Sequence, residues 1–304
     1  MSGSRTLRIF RLGMEAILFL LLTGAWGAAQ TTEAGPGREG PLHGQHEVKP
    51  FRLIGNVYYV GLSDNTSFLI TSPQGHILLD TTFEGAVPTI RKNIEQLGFK
   101  IKDIKFIIQA HAHSDHIEGL AAFKEATGAK VLVMPGDADV LADGGKSDFR
   151  SDGRLLWKPV RADRLLHDGE EVRVGSAVMT AHLTAGHTKG CTTWSTVAQE
   201  NGKNYNVVFI CSLNVNEQVP LVGNKKYPAI AEDFKKSFAL MKTLPCDVFL
   251  VSHGRWFNME QKIKLMEQGG TNPFIDPAGC KAYLAEREQA FLAQLQKDQG
   301  TVPK

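Results

Sequence analysis

Short apolar runs separated by turn residues follow residue 50. Turn signals such as Ser72-Pro73-Gln74-Gly75 divide them, and the pattern predicts antiparallel strands at 51–54, 57–61, 66–71 and 76–80. The apolar positions then recur at every third or fourth residue, which predicts a helix over residues 87–97. The run at 104–109 predicts a buried strand, and residues 121–126 have a helical pattern.

The second half repeats this order of strands followed by helices. We predict strands at 171–174, 178–183, 191–197, 207–211 and 247–251, and helices at 229–243, 259–268 and 277–297. Two such halves, packed sheet against sheet with helices outside, give an α/β (α+β) fold in the form of a four-layer αββα sandwich. The loops that follow the strands would lie at one edge, between the two sheets.

The first 29 residues differ from the rest. Arg5, Arg8 and Arg11 precede an apolar stretch at 16–22, and small residues follow to Ala29. This is the layout of a secretory signal peptide cleaved after Ala29, with an uncleaved membrane anchor as the alternative. We therefore predict a signal peptide at 1–29, a flexible leader at 30–49 and one folded domain at 50–304, with a periplasmic location for the mature chain.

Charge gives no indication of a nucleic-acid partner. The 304-residue chain has a formal net charge of +2, and removing residues 1–29 takes away three arginines and one glutamate, which leaves 31 basic and 31 acidic residues. No cluster of Lys and Arg interleaved with aromatic residues is present in the sequence. We expect a small-molecule substrate, no nucleic acid, no membrane contact of the mature form and a monomer.

A dense group of metal-ligand residues follows the strand at 104–109. The segment His111-Ala112-His113-Ser114-Asp115-His116 occupies a strand-to-helix turn, where α/β folds place their chemistry. Imidazole and carboxylate are ligands of choice for zinc. In an extended backbone His111, His113 and Asp115 would share one face, and His116 would point toward a second ion. His187 and His253, in loop-like settings, are suited to complete two sites, against the alternative of a fortuitous cluster.

The four cysteines become disulfide candidates if the chain is exported. Cys246 precedes a strand and Cys280 begins the last helix, so a bond between them would tie that helix to the domain. Cys191 and Cys211 lie near the histidines and have three options: to pair, to stay free, or to approach the metal. We favour free, buried residues for these two.

These residues resemble the metallo-β-lactamase superfamily, whose H-x-H-x-D-H signature is matched by His111 to His116. The likeness covers the chain from about residue 51 to the last helix. It implies one zinc held by His111, His113 and His187, a second held by Asp115, His116 and His253, and thus two Zn²⁺ per chain. It also implies a Cys246–Cys280 disulfide.

One position narrows the resemblance. Many relatives end the strand at 207–211 in a metal-bridging aspartate, whereas here Ser212 follows it, and Ser212 with His116 as a ligand looks like subclass 3 of the class B β-lactamases. That likeness implies zinc-dependent hydrolysis of penicillins, cephalosporins and carbapenems by a metal-bound hydroxide, and hence antibiotic resistance. Asp115 would be catalytic, and Ser212 and Asn214 would bind the substrate carboxylate.

Two alternatives remain from the sequence. The first is another exported hydrolase of the same superfamily, a lactonase or a thioesterase. The second is a non-enzymatic zinc-binding protein of the cell envelope, for which loss of some ligands is expected, although the full set is present.

Overall fold

A computed structural model describes residues 40–216 and 218–301, so the predicted signal peptide lies outside the described residues. A seven-stranded sheet occupies the first half. Its strands are consecutive in space as in sequence, antiparallel from the first to the fourth and parallel from the fourth to the seventh. They are β1 (Phe51–Ile54), β2 (Val57–Tyr59), β3 (Phe68–Ser72), β4 (Gly75–Leu79), β5 (Ile104–Ile108), β6 (Lys130–Val133) and β7 (Arg164–Leu165).

The second half forms a five-stranded sheet. Its strands are β8 (Glu171–Val174), β9 (Ala177–Leu183), β10 (Thr192–Glu200), β11 (Lys203–Ile210) and β12 (Val248–Val251), in the spatial order β12-β11-β10-β9-β8. The pairs are antiparallel except for β11 with β12. Because β12 runs parallel to β11, the residues that follow these two strands lie at the same edge of the sheet.

Seven α-helices cover the two sheets in the part of the chain that the structure describes. They are α1 (Val87–Gln96), α2 (Ser114–Ile117), α3 (Leu120–Thr127), α4 (Pro135–Asp143), α5 (Ile230–Met241), α6 (Met259–Glu267) and α7 (Pro277–Thr301). The predicted four-layer αββα sandwich is confirmed. Within the described residues no helix combines the length and apolar character needed to cross a membrane.

Two buried clusters correspond to the layers. Alternate residues of β3 and β4, such as Phe68 and Ile77, face the second sheet, where the ring of Phe68 lies 5.1 Å from that of Phe209. The intervening residues, such as Leu69 and Leu78, face the opposite way and pack with α1 and α3. Both faces of β3 and β4 are therefore buried. This explains why consecutive residues in each strand are apolar, from Phe68 to Ile70 and from Ile77 to Leu79.

Several local features differ from the sequence-based expectations. The strands β6 and β7 and the helices α2 and α4 were not predicted, and residues 45–48, expected to be part of a flexible leader, contact the domain. There, the side chain of Gln45 accepts hydrogen bonds from the backbone N–H groups of Asp64 and Asn65, at 3.1 and 2.8 Å. Glu47 also forms an antiparallel bridge with Leu62, and the carbonyl of Val48 accepts a hydrogen bond from Nδ2 of Asn93, so residues 45–48 are attached to the fold.

All four cysteines are paired. Cys246 is bonded to Cys280, which joins the segment before β12 to α7 in the pairing that the resemblance implied. Cys191 is bonded to Cys211, with 5.9 Å between their Cα atoms, so the prediction of free, buried residues was wrong for these two. The reason is that the start of β10 and the end of β11 lie side by side, which brings the cysteines within bonding distance.

Candidate metal centre

Three segments bring six potential ligands to one edge of the sandwich. After β5 the chain continues through His111 and His113 into the short helix α2, which carries Asp115 and His116. His187 lies in the loop between β9 and β10. His253 follows the end of β12, separated from it only by Ser252. The strands β5 and β12 belong to parallel pairs, and β9 runs in the same direction as β11, so the ends of β9 and β12 lie at the same edge of their sheet.

His111, His113 and His187 form the first cluster. One ring nitrogen from each lies within 4.8 Å of the others, and all three side chains are buried. Burial lowers the pKa of each imidazole, to about 3 for His187 and well below the usual range for His111 and His113. The three rings are therefore neutral, and neutral imidazole is the form that binds a metal ion.

The tautomer of His187 follows from its hydrogen bond. Its Nδ1 lies 2.7 Å from the backbone oxygen of Asn214, which only accepts hydrogen bonds. Nδ1 must therefore carry the proton, and the lone pair is on Nε2. The carbonyl of Asn214 thus presents His187 with its free nitrogen available to a metal ion.

Asp115, His116 and His253 form the second cluster, with ligand atoms again within 4.8 Å of one another. Nδ1 of His253 lies 3.0 Å from a carboxylate oxygen of Asp64, so Nδ1 donates to that oxygen and Nε2 points into the cluster. That nitrogen faces Oδ2 of Asp115 at 3.5 Å. An imidazole nitrogen and a carboxylate oxygen at this separation can bind one cation together, so the arrangement fits a metal ion.

His116 carries the positive charge of the second cluster in the protein alone. Burial lowers its pKa, but Oδ2 of Asp115 at 3.3 Å and Oδ2 of Asp80 at 3.2 Å outweigh burial and raise the pKa to about 10. Burial likewise opposes ionisation of Asp115, yet the neighbouring His116 holds its pKa well below the usual range. A metal ion at this cluster would replace the proton of His116 as the counter-charge of Asp115.

The two clusters adjoin, with 4.3 Å between the ring centroids of His111 and His116. One detail of the sequence argument was wrong. The backbone does not stay extended through the signature, because α2 begins at Ser114. Asp115 consequently turns away from His111 and His113 and joins His116, which is the grouping that the resemblance implied.

Four further polar side chains contact Asp115, His113, His116 and His253, and none of the four was predicted from the sequence. Asn65 donates a hydrogen bond through Nδ2 to Oδ2 of Asp115 at 3.0 Å. The carboxylates of Asp64 and Asp80 face His253 and His116, and that of Asp148 lies 3.6 Å from Nε2 of His113. Carboxylates behind histidine ligands fix ring orientation and raise basicity. Each is a single polar residue in a loop, so the sequence offered no signal for them.

Asp137, in the first turn of α4, joins the loops of the first cluster. Its buried carboxylate accepts hydrogen bonds from the backbone N–H of Ala112 at 2.9 Å, the hydroxyl of Thr188 at 2.8 Å and the backbone N–H of Gly190 at 2.8 Å. Burial raises its pKa to about 6 against the effect of these bonds. Ala112 separates His111 from His113, so one carboxylate determines how the two ligand-bearing loops approach each other.

Ser212 and Asn214 lie beside the first cluster. Ser212 is only 3% exposed, and its hydroxyl oxygen lies 3.3 Å from Nδ2 of Asn214. Neither residue lines the open groove in front of the second cluster, so their contact with a substrate stays a prediction. That groove has a volume of about 700 Å³, and its walls include Asp115, His253, Arg150, Arg255 and Leu156.

The model of the Metallo-beta-lactamase superfamily matches residues 60–253 of the chain. Among solved structures, the chain is similar to the native FEZ-1 metallo-beta-lactamase from Legionella gormanii. The sequences are 44% identical, the match covers 84% of this chain and 98% of that one, and the TM-score is 0.82. The subclass B3 enzyme BJP-1 of Bradyrhizobium japonicum is 35% identical over 85% of this chain and 97% of its own, with a TM-score of 0.79.

Curated proteins that are not named as β-lactamases match a smaller part of the chain. A hydroxyacylglutathione hydrolase of Cereibacter sphaeroides is 30% identical over 129 residues, which is 42% of either chain. The N-acyl homoserine lactonase AttM of Azorhizobium caulinodans is 27% identical over 150 residues, 40% of this chain and 56% of its own. The match thus spans about half the length of these relatives, or less.

Proposed function

The chain belongs to the metallo-β-lactamase superfamily, and we propose that it is a zinc-dependent β-lactamase of subclass B3. The observation that carries this proposal is the pair of adjoining clusters, three neutral histidines beside an aspartate and two histidines, at the edge of this fold. The 44% identity with a metallo-β-lactamase over nearly its whole length supports the choice of substrate. The position of Ser212, where many relatives carry aspartate, supports it as well.

The donor set fits two zinc ions. His111, His113 and His187 would hold one, and Asp115, His116 and His253 the other. Nε2 of His116 is buried, makes no hydrogen bond within the described residues, and faces Oδ2 of Asp115 at 3.3 Å. When bound, zinc supplies a Lewis acid for the carbonyl and lowers the pKa of water, so that a nucleophile is available at neutral pH.

The side chains of this protein then orient the reactants. Asp115 lines the groove, stays ionised and is fixed through Oδ2 by Nδ2 of Asn65, and its carboxylate would orient the attacking water. Addition of water breaks the bond between the lactam carbonyl carbon and nitrogen, and a proton passes to that nitrogen. Arg150 and Arg255 line the groove and supply positive charge for the carboxylate of the substrate.

A second candidate activity is hydrolysis of thioesters or lactones. The similarity to a hydroxyacylglutathione hydrolase over 129 residues and to an N-acyl homoserine lactonase over 150 residues favours this activity. Because the two activities share the metal chemistry, the comparison of substrates decides between them.

The purified protein should hydrolyse a penicillin, a cephalosporin or a carbapenem, lose this activity with a zinc chelator and regain it with zinc. Zinc is required because the described site offers no other activated nucleophile for the carbonyl. The same preparation is assayed with an acyl-glutathione thioester and an N-acyl homoserine lactone. Zinc-restored turnover of these two substrates, without turnover of any β-lactam, would refute the proposed substrate.

We also propose that residues 1–29 direct export and that the mature protein is periplasmic. Besides the N-terminal pattern, the two disulfides support an oxidising compartment, since they pair every cysteine of the chain. Mass spectrometry of the protein from a periplasmic fraction should give a chain that begins at Gln30, with no free thiol. A chain recovered in the cytoplasm with an intact N-terminus would contradict the proposal.

A further inference from the structure

Arg287 connects the long helix α7 to the loop beside the first cluster. Its Nη1 donates a hydrogen bond to Oδ1 of Asn214 at 2.8 Å, and the Arg287 side chain is 13% exposed. Asn214 is the residue whose backbone oxygen accepts the Nδ1 proton of His187. The guanidinium of Arg287 is therefore two hydrogen bonds away from a proposed metal ligand.

The guanidinium of Arg287 also contacts the segment that follows His253 of the second cluster. Its central carbon is 4.3 Å from the ring centre of Trp256, and the backbone N–H of Trp256 donates to the carbonyl of His253 at 3.1 Å. Cation–π contact of this kind adds to the packing of the ring. Arg287 thus touches the neighbours of one histidine in each cluster.

The environment of Arg287 indicates a role beyond packing. Its Nη2 donates to the carboxylate of Glu286, but its Nε is buried and makes no hydrogen bond within the described residues. An incompletely paired buried cation is costly, and a hydrophobic side chain of similar volume would avoid that cost. What an apolar side chain cannot do is fix the amide of Asn214, since Oδ1 must face a donor and Nδ2 then faces Ser212.

We propose that Arg287 is a positioning residue for the metal centre: it holds Asn214 so that the carbonyl of Asn214 fixes the ring of His187. The inference rests on the proposed metal binding but not on the identity of the substrate. Arg287 touches neither cluster directly and acts through Asn214.

The test measures zinc affinity by chelator competition, together with the visible spectrum of the cobalt-substituted protein. The variant Arg287→Met keeps aliphatic volume against Trp256 and removes the hydrogen bond to Asn214. We expect about tenfold weaker zinc binding at the first cluster, the lower end of the range seen when groups behind metal ligands are removed. The cobalt spectrum should change as the geometry at His187 relaxes. Lys281→Met, which removes an exposed cation from the same helix, is the matched control and should change neither quantity.

A second variant separates positioning from a general structural role. Asn214→Ala removes the same hydrogen bond from the loop side, and it keeps the inference testable if Arg287→Met fails to fold. If Arg287 acts through Asn214, then Arg287→Met should weaken zinc binding by less than about twofold in the Asn214→Ala background, because coupled residues are not additive. Equal losses in both backgrounds, or wild-type affinity and spectrum in Arg287→Met, would overturn the inference.

The outcome is independent of the proposed substrate. A protein that binds zinc as expected in all these variants but hydrolyses no β-lactam would refute the proposed function and leave the role of Arg287 supported. A wild-type protein that binds no zinc would overturn both.

Discussion

Replacement of His113 by alanine should lower kcat/KM for β-lactam hydrolysis at least about a hundredfold and reduce bound zinc from two ions per chain to one. Removal of groups that merely orient a ligand already costs about 10- to 100-fold, so removal of the ligand itself must cost at least as much. His113 has no replacement, since its neighbours in the first cluster, His111 and His187, are already committed to the same ion. Steady-state kinetics and elemental analysis of the purified variant measure the two effects.

The control for this experiment is His167→Ala, which removes an exposed histidine that belongs to neither cluster. It should keep full zinc content and full turnover. If His113→Ala also kept both, the assignment of His113 as a ligand would be wrong, and with it the first cluster as a metal site.

The sequence predicted those site residues that can be recognised within a short segment of the chain. Strand-end histidines at 111–116, 187 and 253 were visible because a polar, ligand-rich segment after an apolar run stands out in a linear pattern. The division of the ligands into two groups was implied by the resemblance. The alternation of side chains in an extended strand gave a different grouping, and the backbone conformation explains the difference. An extended chain would have placed Asp115 with His111 and His113, whereas the helical turn from Ser114 places it with His116.

The residues that support the ligands were not predictable because their partners are distant in sequence. Asp64 and His253 are 189 residues apart, and Arg287 and Asn214 are 73 apart. Cys191 and Cys211 show the same limit, since spacing of 20 residues does not say whether two cysteines face each other. The pairing of β10 with β11 in the folded sheet determines that these two cysteines are neighbours.

The helix α4 was not predicted for a different reason. Its first residues, Pro135 and Gly136, are typical of a turn, and the four-residue strand before it is short. Proline at the first position of a helix is nevertheless favourable, because its missing N–H has no helical partner there. The omission mattered for the site, because the first turn of α4 carries Asp137.

Replacement of Asp137 by alanine should destabilise the fold by about 3 kcal/mol and weaken zinc binding at the first cluster. The change leaves the N–H groups of Ala112 and Gly190 and the hydroxyl of Thr188 without their acceptor in the protein interior. Each buried donor left unpaired costs about 1–3 kcal/mol, and removal of the buried charge offsets part of the sum. Thermal or urea unfolding gives the stability, and chelator competition gives the zinc affinity.

The effect on zinc follows from the position of the three donors. Ala112 lies between His111 and His113, and Thr188 follows His187, so loss of the shared acceptor frees the two ligand-bearing loops to move apart. Asp139→Ala removes an exposed carboxylate from the same helix and should change neither stability nor affinity. If Asp137→Ala unfolded like the wild type and bound zinc equally well, the buried carboxylate would not be what holds the loops in register. The geometry of the first cluster would then be set by the two sheets alone.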